Sequence, residues 1–346
     1  MKNKEYFFAL NGWRFIFSLL IVLHHMPKEW RPCVTPWDFG NTIVLFFFIL
    51  SGFLLTLGYK DKIQNRTISY RDFVAKRVSS ILPLQVLMTL LFVLFGINVV
   101  TYWAVPFHLT LTQSLLPFWE INFTMNTPSW FLSSIFICYL LVWPVLSYTK
   151  DRSKFLLVYS AVVIAWSIFV FLLPGSVGTK WLCYINPFAR FIDFSAGTLL
   201  ALYWNEIKRL FKSIQQHKLL FTLCEIAVVA VIIYCFASTE FQAYNNYTIL
   251  RYPLIYLLII IFALGNGLIS KIVGSKLFNK LGDLAIAIYM CHGFVLHFIQ
   301  IPAFENNIVS IVLTYIFTIL FSYILVYFYC PVVQRFMVGF LSKKNK

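Results

Sequence analysis

Runs of about twenty apolar residues recur along this 346-residue chain, separated by short polar segments, and a helix of that length matches a bilayer's hydrocarbon core. A water-soluble domain of this size has too little interior to hide so many. Composition agrees: 60% of the residues are hydrophobic and 12% charged, against roughly 45–50% and 25% in soluble domains, and mean hydropathy is +0.79. The pattern predicts an all-α polytopic membrane bundle of about ten spans, near 7–26, 41–59, 73–97, 131–148, 155–173, 187–204, 219–237, 249–269, 281–299 and 307–330.

An even number of spans puts both termini on one side, and the basic residues say which. Lys2, Lys4, six from Lys60 to Arg77, Lys150, Arg152, Lys154, Lys208, Arg209, Lys212, Lys218, Lys271, Lys276, Lys280, Arg335, Lys343, Lys344 and Lys346 fall on the terminal side, 22 of the 28. The other side keeps Lys28, Arg31, Lys180 and Arg251, while Arg14 and Arg190 lie within spans. The positive-inside rule then places both termini in the cytoplasm of a multi-pass protein of the inner or plasma membrane. Net charge is +15, but the cations sit between spans, so orientation accounts for them and no nucleic-acid partner is expected.

Cys33, Cys138, Cys183, Cys224, Cys235, Cys291 and Cys330 are scattered through mostly apolar runs without a CxxC pair, and they read as packing residues. No metal site and no permanently bound cofactor is expected. The first apolar run contains Arg14 and ends in His24-His25-Met26-Pro27, unlike a cleavable signal peptide, so the first span is expected to be retained. An outer segment near 98–130, rich in aromatic and polar residues, is favoured over an inner one near 205–218 as contributor to a substrate site. With no internal repeat, no low-complexity tract and no appended soluble region, 1–346 reads as a single transmembrane domain.

Ionisable residues inside a bilayer are costly and mark function by default. Arg14 and His25 lead. Eleven residues of helix turn them through about 1100°, three turns plus about 20°, over a rise of about 16 Å, so they share a face. Asn11 and Ser18 lie within about 60° of that stripe, and His24 about 80° away. On spacing alone, Arg14 snorkelling to the inner interface and His25 closing the outer end is the competing reading. Arg190 and Asp193, at i and i+3, are close enough for an ion pair, with a structural role favoured. His292 follows Tyr289 by three residues on nearly one face and is a candidate to line a site. His108, Trp119, Glu120 and Trp130 in the outer segment suit a sugar, although interfacial aromatics are normally belt residues. His217 and His297 have no support beyond residue type.

Asn11-Gly12-Trp13-Arg14 followed by Leu23-His24-His25 resembles the first span of the acyltransferase 3 family of membrane O-acyltransferases, with its Arg, ten residues, then His. Phe46-Phe47-Phe48-Ile49-Leu50-Ser51-Gly52-Phe53-Leu54 is similar to that family's second-span motif, and 73–83 to the basic start of its third span. Trp130 to Pro144, Asn186-Pro187 through Arg190 to Gly197, and Leu281-Gly282-Asp283 through Tyr289 to His292 follow in the family's order. Three positions depart from the pattern: Ser80 replaces a basic residue, Ser133-Ser134-Ile135 stands where many members carry a Glu, and Cys330 replaces an acid before the last Pro.

The resemblance implies transfer of an acyl group, acetyl being the commonest, from cytoplasmic acyl-CoA to a hydroxyl of a cell-surface or lipid-linked carbohydrate. It implies His25 and Arg14 as catalytic, with His25 either general base or transient acyl carrier. Arg71, Lys76 and Arg77, just cytoplasmic of the third span, suit the anionic end of coenzyme A, positive-inside anchoring being the alternative. His292, Tyr289, Ser51, Trp130, Arg190 and Asp193 would line the site or meet the acceptor. The reading from another class is a transporter or flippase of a polysaccharide precursor, which should show pseudo-symmetric halves or paired broken helices; the sequence shows neither. A non-catalytic partner of a polysaccharide synthase is a third.

Overall fold

A computed structural model describes residues 6–30, 39–98, 101–172, 181–237, 251–300 and 307–342, and among them all regular structure is helical. In chain order the α-helices are α1 Phe8–His25, α2 Gly40–Gln64, α3 Tyr70–Leu94, α4 Val105–Leu109, α5 Trp119–Asn122, α6 Trp130–Tyr148, α7 Arg152–Leu172 and α8 Pro187–Leu202. There follow α9 Trp204–Gln216, α10 Lys218–Ala237, α11 Arg251–Leu264, α12 Leu268–Val273, α13 Lys276–Gly282, α14 Ala285–Gln300, α15 Asn307–Ile324 and α16 Cys330–Ser342. Lys2, Lys4, Arg31, Cys33, Lys180, Lys343, Lys344 and Lys346, used above for orientation or composition, lie outside the described residues.

Seven described stretches are long and apolar enough to cross a membrane: α1, α2, α3, Thr127–Tyr148, α7, α10 and Asn307–Met337. An eighth results if α13 and α14, bent by 60°, are taken together. The chain is therefore a polytopic helical membrane protein. The expected sixth and eighth spans fall on α8 and α11, of 16 and 14 described residues. A π turn at Trp181–Ile185 precedes α8, and α11 stops at Gly265, whose φ of 59° is the left-handed conformation that glycine adopts without a Cβ penalty. At the start of α3, Ser69 Oγ accepts from the Asp72 amide at 3.1 Å and donates to its carboxylate at 2.7 Å, a side-chain N-cap.

By contacts the chain forms two compact units, Met1–Phe47 with Tyr203–Tyr289 and Phe48–Leu202 with Met290–Lys346. In the first, α1 packs on α11, α12 and α13. A Cβ on Gly12 would lie 2.0 Å from the Val273 carbonyl oxygen, and one on Gly282 would lie 2.2 Å from that of Asn11. Small residues thus bring backbones together where lipid supplies no hydrophobic drive between helices. Trp13 and Phe17 fill the interior against Phe262, Phe46 and Phe236.

Glu225 of α10 is a buried carboxylate in an apolar span. Its oxygens accept from the amides of Gly267 at 3.0 Å, Ile269 at 2.8 Å and Ser270 at 3.3 Å, and from the Ser270 hydroxyl. It therefore satisfies the first orphan N–H groups of α12, where helix polarity also favours an anion.

In the second unit α6 packs on α8, α3 and α7 on α6 and α8, and α16 on α3. Glycines set the α2–α8 approach. A Cβ on Gly52 would sit 1.9 Å from the Phe194 carbonyl oxygen and one on Gly197 1.8 Å from that of Ile49, beside a Thr56–Thr198 hydroxyl hydrogen bond of 3.1 Å. Because the obstacle is backbone, Gly197→Val should cost at least the ~1–3 kcal/mol usual for overpacking. Its monodisperse peak in detergent size-exclusion should collapse, while Gly58→Ala, with nothing within 4 Å of the added carbon, leaves the profile unchanged.

The segment before α6 is folded rather than a pendant loop. Leu111 and Met125 take left-handed φ values of 58° and 52°, and polar side chains pin the turns between them. Ser133 Oγ bonds Ser114 Oγ at 2.7 Å and donates to the Leu111 carbonyl at 2.8 Å, Gln113 donates to the Ser129 carbonyl at 3.2 Å, and Trp181 Nε1 donates to the Ser114 carbonyl at 3.1 Å.

Candidate functional site

Two of the sequence motifs meet in the first unit. Asn11 donates its amide N–H groups to the Asn279 carbonyl at 2.7 Å, to Asn279 Oδ1 at 3.0 Å and to Asp283 Oδ1 at 3.1 Å. That network turns Asn11 Oδ1 toward α1, where it accepts from Arg14 Nη1 at 2.8 Å. An intramembrane guanidinium is thus held by a side chain from its own helix, itself oriented by residues 268 and 272 positions away. Gly282 makes this possible by letting the backbone of α13 approach Asn11. Arg14 is half-buried, consistent with a cation kept off the lipid face.

His25 closes α1. Its Nδ1 lies 2.9 Å from the Ile21 carbonyl oxygen, and a carbonyl can only accept, so Nδ1 carries the hydrogen and the neutral ring has its lone pair on Nε2. The ring is exposed. His24, by contrast, packs tilted at 5.7 Å against Phe39 and lies over Gly40, where a Cβ would be 2.9 Å from its Nε2. Ser18, on the same stripe as Arg14 and His25, is buried and donates to the Phe15 carbonyl at 2.7 Å. Since α1 is one unbroken helix over Phe8–His25, Arg14 and His25 stand about 16 Å apart along its axis. They cannot both touch one reacting carbon.

The second unit holds a cluster built on Arg190. Its Nη1 meets Asp193 Oδ2 at 2.6 Å, its Nη2 donates to the Cys183 carbonyl at 2.6 Å, and the guanidinium lies 5.3 Å from the Tyr184 ring centroid and 5.8 Å from that of Phe48. Trp130 packs tilted against Tyr184 at 4.7 Å. The structure therefore joins Trp130, Arg190 and Asp193 through Tyr184, a residue that sequence reasoning did not single out. Both charges are buried, and pairing offsets much of the cost of that burial. Ser51 is half-buried next to the Gly52 approach.

Arg77 donates from Nη2 to the Tyr59 hydroxyl at 2.9 Å and lies over the rings of Tyr59 at 5.1 Å and Tyr139 at 5.9 Å. Arg71 and Lys76 are exposed. The two tyrosine rings give Arg77 an aromatic seat that fixes its direction.

His292 and Tyr289 occupy adjacent turns of α14, and both are buried. Asn126, unnoticed in the sequence, donates to the Met290 carbonyl at 3.0 Å, and its Oδ1 is buried without a hydrogen-bond partner. The folded outer segment is thereby tied to the turn of α14 just before His292. His108 is closed off instead. Its Nε2 donates to the Ile121 carbonyl at 2.8 Å and its Nδ1 accepts from Ser129 Oγ at 3.2 Å. Burial lowers its pKa, keeping the ring neutral. Trp119 and Glu120 are exposed, the indole stacked on Phe123 at 3.8 Å.

A family model described as an acyltransferase domain matches residues 7–327. Neither a curated protein nor a solved structure matches the chain.

Proposed function

The chain belongs to the acyltransferase 3 family, and from that premise we propose that this membrane acyltransferase moves an acyl group, in the simplest case acetyl, from cytoplasmic acyl-CoA to a hydroxyl of a cell-surface or lipid-linked carbohydrate. The observation that carries the chemistry is the His25 tautomer. With Nδ1–H committed to the Ile21 carbonyl, Nε2 takes the acceptor hydroxyl proton as the oxygen attacks the thioester carbon. A tetrahedral oxyanion forms, the C–S bond breaks, and the imidazolium returns its proton to the departing thiolate. The ester and free coenzyme A are the products.

Arg14, about 16 Å away along α1, serves the donor rather than the reacting carbon: its planar fork suits a phosphate, and Asn11 aims it. Arg77 on its tyrosine seat, with Arg71 and Lys76, adds positive charge for the nucleotide end. Ser51, Trp130, His292, Tyr289 and the Arg190–Asp193 pair are assigned to the shape of the site. Family membership favours this reading over the transporter.

The orientation proposed, with both termini cytoplasmic in the inner or plasma membrane, predicts that reporters fused after Lys150 and Lys212 read cytoplasmic and one near Glu120 reads external. A cytoplasmic signal near Glu120 would overturn it.

The base role separates from an acyl-carrier role in vitro. Purified protein given labelled acetyl-CoA without acceptor should gain no acetyl-sized mass, and with a membrane glycan fraction the label should enter alkali-labile ester. Label on His25 would make the residue a carrier.

A further inference from the structure

Within the unit Phe48–Leu202 with Met290–Lys346, a cavity of about 460 Å³ lies between the end of α6, the first half of α7 and α8. Tyr148, Lys150, Lys154, Tyr159, Val162 and Ser195 are among its lining residues, and its size falls within the roughly 300–1,000 Å³ of ligand sites. We propose that this groove binds one anionic phospholipid, its acyl chains along α7 and its phosphate between Lys150 and Lys154.

Charge and position both select that occupant. Lys150 and Lys154 are exposed at the rim. Asp151, between them in sequence, turns its carboxylate to the start of α7, accepting from the Ser153 amide at 2.8 Å and the Lys154 amide at 3.4 Å. The rim is left with two ammonium groups against one carboxylate already engaged by backbone. Below it the wall is apolar, with Phe155 and Tyr159 stacked at 6.2 Å. No side chain of α7 is buried, although the helix is span-length and apolar. Lipid therefore meets this flank, and an amphiphile enters sideways from the bilayer. A phosphate carried on acyl chains places its charge where lysines at a span end reach the headgroup layer. The site uses neither Arg14 nor His25, so it stands apart from the acyl-transfer reading.

Native mass spectrometry of the full chain released from nanodiscs of equal phosphatidylglycerol and phosphatidylcholine tests it. Wild type should retain phosphatidylglycerol over phosphatidylcholine by about fivefold or more. Lys150→Gln with Lys154→Gln should bring the ratio to about one. Val162→Trp, at an exposed position lining the groove, should reduce retention of both lipids with the charge unchanged. A preference that survives in both variants, or that wild type lacks, overturns the site. So does displacement of the bound phospholipid by equimolar acyl-CoA or polyprenyl phosphate, which would name a different occupant.

Discussion

His25→Ala is expected to reduce acyl incorporation by about 10²–10⁴-fold, the range that loss of a positioned general base produces, with normal amounts of folded protein in the membrane. The ring is exposed, and its Nδ1 hydrogen bond returns to its own helix at Ile21. His24→Ala is the informative neighbour. That ring packs over Gly40 and against Phe39, so its removal should lower thermal stability while activity per folded molecule stays within about threefold, under 1 kcal/mol. Equal losses of activity from the two substitutions, at equal expression, would sink the assignment of the base to His25.

Arg14→Lys is the second large effect. A snorkelling anchor needs a long stem and a positive charge, and Lys supplies both. A donor ligand needs more. One N–H already goes to Asn11 Oδ1 at 2.8 Å, and a single ammonium cannot keep that bond and also offer the planar pair of donors that meets a phosphate at two points. The substitution should insert normally yet lower acylation at least about tenfold, roughly 1.4 kcal/mol of transition-state stabilisation. Because Arg14 stands about 16 Å from His25 along the helix, much of the loss should appear in KM for acyl-CoA. Near-normal incorporation would remove Arg14 from the site and leave the mechanism on His25 alone.

These residues show how far the chain could be read before its structure was known. Apolar run length identified the membrane class, and the eleven-residue spacing put Arg14 and His25 on one helix, because both signals are local and periodic. What supports Arg14 was not legible. Asn279 and Asp283 reach Asn11 across 268 and 272 positions, and the glycines that allow the approach do not say which helix they touch. Glu225 was missed for the same reason: one acid in an apolar run gives no hint that its partners are backbone amides 42 to 45 residues later. The fold of the outer segment was not legible because aperiodic polar residues such as Gln113, Ser114 and Ser129 build it through hydrogen bonds. Burial of His108 followed, and with it the loss of a residue type that suggests chemistry. Span ends erred where a single conformation decides, as at Gly265.

On the proposed function, this chain esterifies a carbohydrate hydroxyl through His25. Mass analysis of cell-surface and lipid-linked glycans from cells carrying wild-type chain, His25→Ala or no chain tests it most directly. Acyl-sized mass increments that mild alkali removes should be present with wild type alone. Identical glycan masses in all three, with the wild-type protein folded in the membrane, would contradict the account.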